Sequence, residues 1–279
     1  MLLGLVVVLG ATTASAQRSG QQREALEGVG VTQKLEGTVP QDLTFRNEAG
    51  EEVRLGEYFD GERPVLLTLN YHRCPMLCKV QLRTFATAVS SPSWTPGDKF
   101  QILTVDINPD EGPETARKAQ ERYEGAFDDP DVAMDGWHFL TGEASAIEAL
   151  TDSVGFHYRY LADKEQYAHP AAIIFLSGSG VITRYFTTLD PAPGDLRTGL
   201  VEASNGEIGS AVDKAFLACA QFNPDTNSYS ASAFKVMRYG SALLALIMGG
   251  VLFFFWRREN EQLAAAEEDA LDAALDERV

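Results

Sequence analysis

Val65-Leu66-Leu67-Thr68-Leu69-Asn70-Tyr71-His72-Arg73-Cys74-Pro75-Met76-Leu77-Cys78-Lys79 is an apolar strand that runs into a turn carrying two cysteines. Cys74 and Cys78 are four apart, and a helix opened by Pro75, as proline does at a first helical turn, sets both sulfurs on one helical face. Their Cα atoms then lie on the order of 6 Å apart at a rise of about 1.5 Å per residue, within the span a disulfide tolerates. The pair can act as a metal clamp or as a redox dithiol.

Beyond Cys78, Val80, Leu82, Phe85, Ala86 and Val89 recur at helical spacing, which predicts an amphipathic helix ending near Ser91-Pro92. The cysteines therefore stand at a helix N-terminus. The macrodipole and unbonded N–H groups there favour anions, which lowers a thiol's pKa and promotes the thiolate.

Working outward, Leu43–Arg46 and Glu52–Leu55 flank a Gly-containing turn and read as a hairpin that leads into the central strand. Lys99–Ile107 reads as a second strand, Pro113–Glu124 as a charged helix and Trp137–Leu140 as a short strand. Glu143–Val154 reads as a helix and Phe156–Leu161 as an alternating strand. After Tyr167-Ala168-His169-Pro170 come strands at Ala171–Leu176 and Val181–Phe186, joined by Gly178-Ser179-Gly180 as a hairpin. Helices near Gly194–Ser204 and Gly209–Gln221 close the domain. Strands that alternate with helices and finish in a hairpin predict an α/β fold, a mixed sheet flanked by helices. In such sheets ligands sit at the carboxyl ends of strands, where the Cys turn lies.

The predicted organisation is a signal peptide over residues 1–16, a linker over 17–40, the α/β domain over 41–222, a second linker over 223–238, a transmembrane helix over 239–256 and an acidic tail over 257–279. Residues 1–16 are apolar and end in Ala14-Ser15-Ala16, the small-residue pattern of an export signal, although no Lys or Arg precedes Arg18. Tyr239–Trp256 carries no charge, ends in Leu252-Phe253-Phe254-Phe255-Trp256, and is followed at once by Arg257-Arg258. With an exported N-terminus, the arginine pair would face the cytoplasm and the main domain the outer side. The tail reads as solvated, with Leu263, Leu271 and Leu275 compatible with one helical stripe.

Forty acidic against 23 basic residues give a net charge of −17, which argues against nucleic acid as a partner, because phosphate binding needs a basic footprint. Three cysteines are too few for a disulfide-stapled secreted scaffold. Cys219, within Ala215-Phe216-Leu217-Ala218-Cys219-Ala220, reads as a small hydrophobe outside the site. Of the four histidines, His138 and His157 sit in strands beside aromatics and read as packing or surface residues. His72 stands at the strand end, two residues before Cys74. His169 lies in a connection that an α/β sheet can bring over the Cys turn. Two thiolates and one imidazole form a soft, low-coordinate donor set that suits Cu(I), whereas structural zinc wants a fourth ligand. Spacing alone leaves copper and thiol redox chemistry open.

The run Asn70–Cys78 with its Cys-Pro-x-x-x-Cys core, the later Tyr167-Ala168-His169 and the hairpin after it resemble the Sco/SenC family of copper-binding, thioredoxin-like proteins over roughly Leu43–Phe222. The resemblance implies a thioredoxin-like fold, with Cys74, Cys78 and His169 as copper ligands. It also implies a role outside the cytoplasm in assembling the copper centre of cytochrome c oxidase, whose copper-bearing subunit would be the partner. Pro170 stands where thioredoxins carry a cis-proline. The chain departs from the family in having Lys79 where a second proline is frequent, Asn108-Pro109 within a segment where an Asp-Pro pair is usual, and a C-terminal rather than an N-terminal anchor. Two functions follow: a metallochaperone that hands copper to the oxidase subunit, or a membrane-anchored thiol–disulfide oxidoreductase in which Cys74 attacks and Cys78 resolves. A thioredoxin-like peroxidase fits less well, since it needs one activated Cys beside an Arg and no second Cys four residues on.

Overall fold

Two strands with every residue buried, β4 (Val65–Asn70) and β5 (Gln101–Asp106), form the centre of the computed structural model. Residues 26–276 are described, apart from 75–76, 91–93, 128, 207–208 and 232. The expected signal peptide lies outside the described residues. The chain divides into two units, one running to Ala218 and taking in Phe222–Tyr229, the other comprising Cys219–Gln221 with Ser230–Val279.

In the first unit the order is β1 (Gly30–Val31), β2 (Thr44–Arg46), β3 (Glu52–Arg54), β4, α1 (Leu77–Val89), β5, α2 (Pro113–Glu121), α3 (Pro130–Asp135), β6 (Trp137–Leu140) and α4 (Ala144–Ser153). It continues with β7 (Phe156–His157), β8 (Arg159–Leu161), β9 (Gln166–Ala168), β10 (Ile173–Leu176), β11 (Ile182–Phe186), α5 (Pro193–Ala203) and α6 (Ala211–Cys219). β12 (Ala220–Asn223) and β13 (Ser228–Ala231) follow, and α7 (Ala233–Asp276) ends the chain.

The main sheet runs β11-β10-β4-β5-β6, parallel between β4, β5 and β6 and antiparallel at β10 and β11. Burial on both faces is why neither β4 nor β5 alternates apolar with polar residues along its length. Side chains still alternate between faces. Val65, Leu67, Leu69, Leu103 and Val105 join the core that also holds Cys74 and Cys78. Leu66 and Ile102 join the opposite core with Phe85 of α1, Leu200 of α5 and the stacked rings of Tyr123, Trp137 and Phe139. Within this sheet a buried polar chain runs from Thr68 Oγ1 to Thr104 Oγ1 at 2.9 Å, and Trp137 Nε1 donates to the same Thr104 oxygen at 2.9 Å.

The mixed α/β architecture agrees with the reading of the sequence, and the segment limits need correction. The expected linker over 17–40 carries β1, which pairs antiparallel with β7, a bridge from Thr38 to Val181, and Val39 buried in the core. A two-residue strand with no periodicity cannot be seen locally; it exists because β7 offers it an edge. Phe156–Leu161 is two strands rather than one, with β8 pairing to β9. The expected linker over 223–238 holds β13 and the start of α7. Helix α7 continues through the acidic segment to Asp276, consistent with its Ala-rich composition. Met237–Arg258 within it is 22 residues long and apolar enough to cross a membrane, with none of it buried against protein.

Candidate metal centre

The Cys turn is the loop between the carboxyl end of β4 and α1. Cys74 and Cys78 are both buried and reduced, and the Cys78 backbone N–H donates to Cys74 Sγ at 3.2 Å. The register of β10 explains how a distant histidine arrives. Ile173 pairs with Thr68 in antiparallel sense, so the chain just ahead of β10 runs back past the carboxyl end of β4. The Gln81 amide on α1 donates to the Ala172 carbonyl oxygen at 3.3 Å and ties this segment to the helix. His169 is thereby held 7% exposed with Nε2 2.9 Å from Cys78 Sγ. The ligating atoms of Cys74, Cys78 and His169 all lie within 4.8 Å of one another.

His169 Nδ1 lies 3.1 Å from the Pro170 carbonyl oxygen. A carbonyl oxygen only accepts, so Nδ1 donates there, which leaves Nε2 as the ring nitrogen that faces the sulfurs. Tyr71 and Phe156 hold the ring, with centroids 5.9 and 6.2 Å away. The peptide bond before Pro170 is trans, unlike the cis-proline to which its position was compared.

The helix N-terminus does not decide the state of Cys78. The hydrogen bond with Cys74 and then burial push its thiol well above the ordinary range, outweighing the lowering by backbone N–H groups. A cation that takes this sulfur as thiolate must displace its proton.

Behind the turn lies a layer of carboxyl groups. Asp106, fully buried at the end of β5, accepts the backbone N–H of His72 at 3.2 Å and that of Asn108 at 2.8 Å. Glu111 accepts the Arg73 N–H at 3.3 and 3.1 Å and the Asn108 amide at 3.3 Å. Burial, then the neighbouring Glu111 charge, pushes the Asp106 carboxyl up. These residues orient the backbone that leads into Cys74. The carboxyls that support the turn are thus Asp106 and Glu111, on either side of Asn108, and Glu111 had no signal in spacing.

The other histidines fall elsewhere. His72, with a side chain 1% exposed, packs on Phe139 with Nε2 3.6 Å from Asp106 Oδ2. His138 pairs with Glu48 at 3.3 Å, and His157 with Thr32 at 3.1 Å. Among the described residues the only group of three or more possible metal ligands is Cys74, Cys78 and His169.

Fold and site together define a thioredoxin-like α/β domain with a buried Cys–Cys–His group at a strand's carboxyl end. The sequence profile of the SCO1/SenC family matches residues 32–199, more than half of the chain, and the chain belongs to that family. No curated protein sequence matches it significantly. Among solved structures, a proposed electron transfer protein from Aquifex aeolicus VF5 is similar at 20% identity with a TM-score of 0.55, covering 62% of this chain and 96% of that one. ScoI of Arabidopsis thaliana with copper bound is 14% identical with a TM-score of 0.49, covering 61% and 98%. ScoI of Bradyrhizobium japonicum with copper bound is 17% identical with a TM-score of 0.46, covering 60% and 98%.

Proposed function

We propose that this protein is a membrane-anchored metallochaperone that carries Cu(I) on Cys74, Cys78 and His169 and passes it to the copper-bearing subunit of cytochrome c oxidase. The observation that carries the reading is the convergence of two sulfurs and one imidazole nitrogen within 4.8 Å of one another, on three buried residues. A soft set of three donors suits Cu(I) and falls one ligand short of a structural zinc site. Membership of the SCO1/SenC family supports copper and oxidase assembly as the context. The three side chains are ligands here rather than catalysts, and the ion is cargo. Met237–Arg258 would tether the domain to the outer face of the membrane, with Arg257 and Arg258 on the cytoplasmic side.

The second reading, a thiol–disulfide oxidoreductase that reduces the target's cysteines, draws on the same reduced pair. Burial of both sulfurs counts against it, because a mixed disulfide with a protein needs more room than a bare ion. The deciding experiment is metal content and stoichiometry of the reduced full chain in detergent, with Cu(I) affinity measured by competition against a chelator. One tightly held Cu(I) per chain, lost on oxidation, is the expected result. Tight zinc with no copper preference, or a dithiol that reduces disulfides yet holds no metal, would overturn the chaperone reading.

A further inference from the structure

A recess of about 390 Å³ opens beside the Cys turn, and its lining reverses the charge of the chain as a whole. Arg73, Lys79, Lys118 and Arg122 converge on it, with Glu114 as the single acidic side chain, in a protein of net charge −17. Glu114 pairs with Lys118 at 2.6 Å. Among the described residues no ion pair meets Arg73, Lys79 or Arg122. Gly112 and Pro113 at the start of α2 also line the recess, so the positive end of that nine-residue helix opens into it without a side-chain cap. The buried His72 is a further wall, and neither of its ring nitrogens makes a hydrogen bond of ordinary geometry among the described residues.

We propose that this recess docks an acidic peptide segment of the protein that exchanges copper with the Cys–Cys–His group. The partner's identity as a copper-exchanging protein rests on the function proposed above; the recess as an acidic-peptide site does not. Placement ties the two together, since Arg73 adjoins Cys74 and Lys79 follows Cys78 in the chain, so a segment seated there lies against the loop that carries two of the three ligands. Charge selects the occupant. Four lining cations against the lining Glu114, with Glu111 held just behind on the Arg73 N–H, leave an excess of positive charge, which several carboxylates on one segment match better than a single inorganic dianion. The volume lies within the range of pockets that hold several side-chain groups. With 40 acidic against 23 basic residues in the chain, a cluster of four cations at one recess sets it apart as a place for an acidic partner, which makes the recess a specificity device as well as a contact.

The test uses the reduced, copper-free full chain in detergent micelles and a labelled, C-terminally amidated Asp/Gly hexapeptide, with binding read by fluorescence anisotropy at low salt. Lys79→Glu/Arg122→Glu should weaken binding at least tenfold, and the milder Lys79→Gln/Arg122→Gln should weaken it in the same direction. Arg54→Glu/Lys214→Glu, which changes net charge equally at residues that do not line the recess, should stay within about twofold of the parent. Equal loss in both double reversals, or no measurable binding by the parent, would overturn the proposal. So would displacement by inorganic sulfate that, at matched ionic strength, binds as tightly as the peptide. Cu(I) competition on the same variants reports the neighbouring site separately. A parent that binds the peptide at the recess but holds no Cu(I) upholds the docking site and overturns the copper reading alone.

Discussion

Cys78 Sγ and His169 Nε2 lie 2.9 Å apart, although 91 residues separate them in the chain. The contact joins the first turns of α1 to the segment entering β10, and it exists because β10 pairs antiparallel with β4. The direction of one strand pairing thereby turns a local dithiol into a three-donor group.

Replacing His169 by Ala should separate the two chemistries of that group. Cu(I) affinity should fall by about tenfold or more, in line with the usual cost of losing a ligand or its support, while both thiols remain titratable and able to form a disulfide. Cys74→Ser or Cys78→Ser should abolish copper binding and disulfide formation together, and the oxidised parent should bind no Cu(I). Chelator competition and thiol counting check this. Unchanged Cu(I) affinity in His169→Ala, alongside loss of target-disulfide reduction in Cys74→Ser, would favour the oxidoreductase.

Thr104→Val probes the polar chain inside the sheet. Valine keeps the shape, but it deprives the Trp137 indole N–H and the Thr68 hydroxyl of their buried partner. The expected destabilisation is about 1–3 kcal/mol from the unsatisfied groups. Denaturant unfolding that shows no shift in midpoint would mean that water or a rearranged Thr68 replaces the bond.

Acid should erase the contribution of the Asp213–Arg197 pair in a defined window. The Arg197 guanidinium, bonded at 3.0 and 2.8 Å, and next Ser210 hold the Asp213 carboxyl down to about 2, against partial desolvation. A carboxyl with a depressed folded-state pKa contributes stability that is fully present above the unfolded value, near 3.8, and is lost as pH falls through about 2. Asp213→Asn should therefore cost less than about 1 kcal/mol at pH 7, as surface ion pairs do, and the difference from the parent should vanish towards pH 2. Thermal melts of both proteins at pH 7, 4 and 2.5 measure it; a gap that widens in acid would contradict the assignment.

Topology has its own readout. A reporter that works only in the cytoplasm should be active when fused after Val279, and one that works only after export should be active when fused near Tyr229. The reverse pattern would invert the proposed orientation of Met237–Arg258.

Legibility from the sequence followed the range of the interactions. The strand at β4, the helix after it, the four-residue cysteine spacing and the apolar stretch of α7 are local patterns, and hydrophobic period, proline and charge marked them within a residue or a few. The limits of β6, α4 and α5 came out nearly as expected for the same reason. His169 was legible as a candidate in a connection that can pass over the Cys turn, on its place before a strand and on family resemblance; its contact with Cys78 was not.

What only the tertiary structure decided depends on pairings that no local period encodes. Gly30–Val31 became a strand because β7 presents an edge, so the folded unit starts well before Leu43. Asp106 and Glu111 became holders of the Cys turn because β5 lies parallel to β4 and ends beside it. The Cys78 thiol rises rather than falls, because the neighbouring sulfur and burial outweigh the helix terminus that alone was visible in the sequence. The basic recess, likewise, joins residues from the Cys turn and from α2 that stand some forty positions apart and become neighbours through parallel strand pairing. Composition and spacing determined which groups this protein has to work with; the sheet's order and register determined which of them meet, since burial and hydrogen bonding act between residues only after distant segments are in contact.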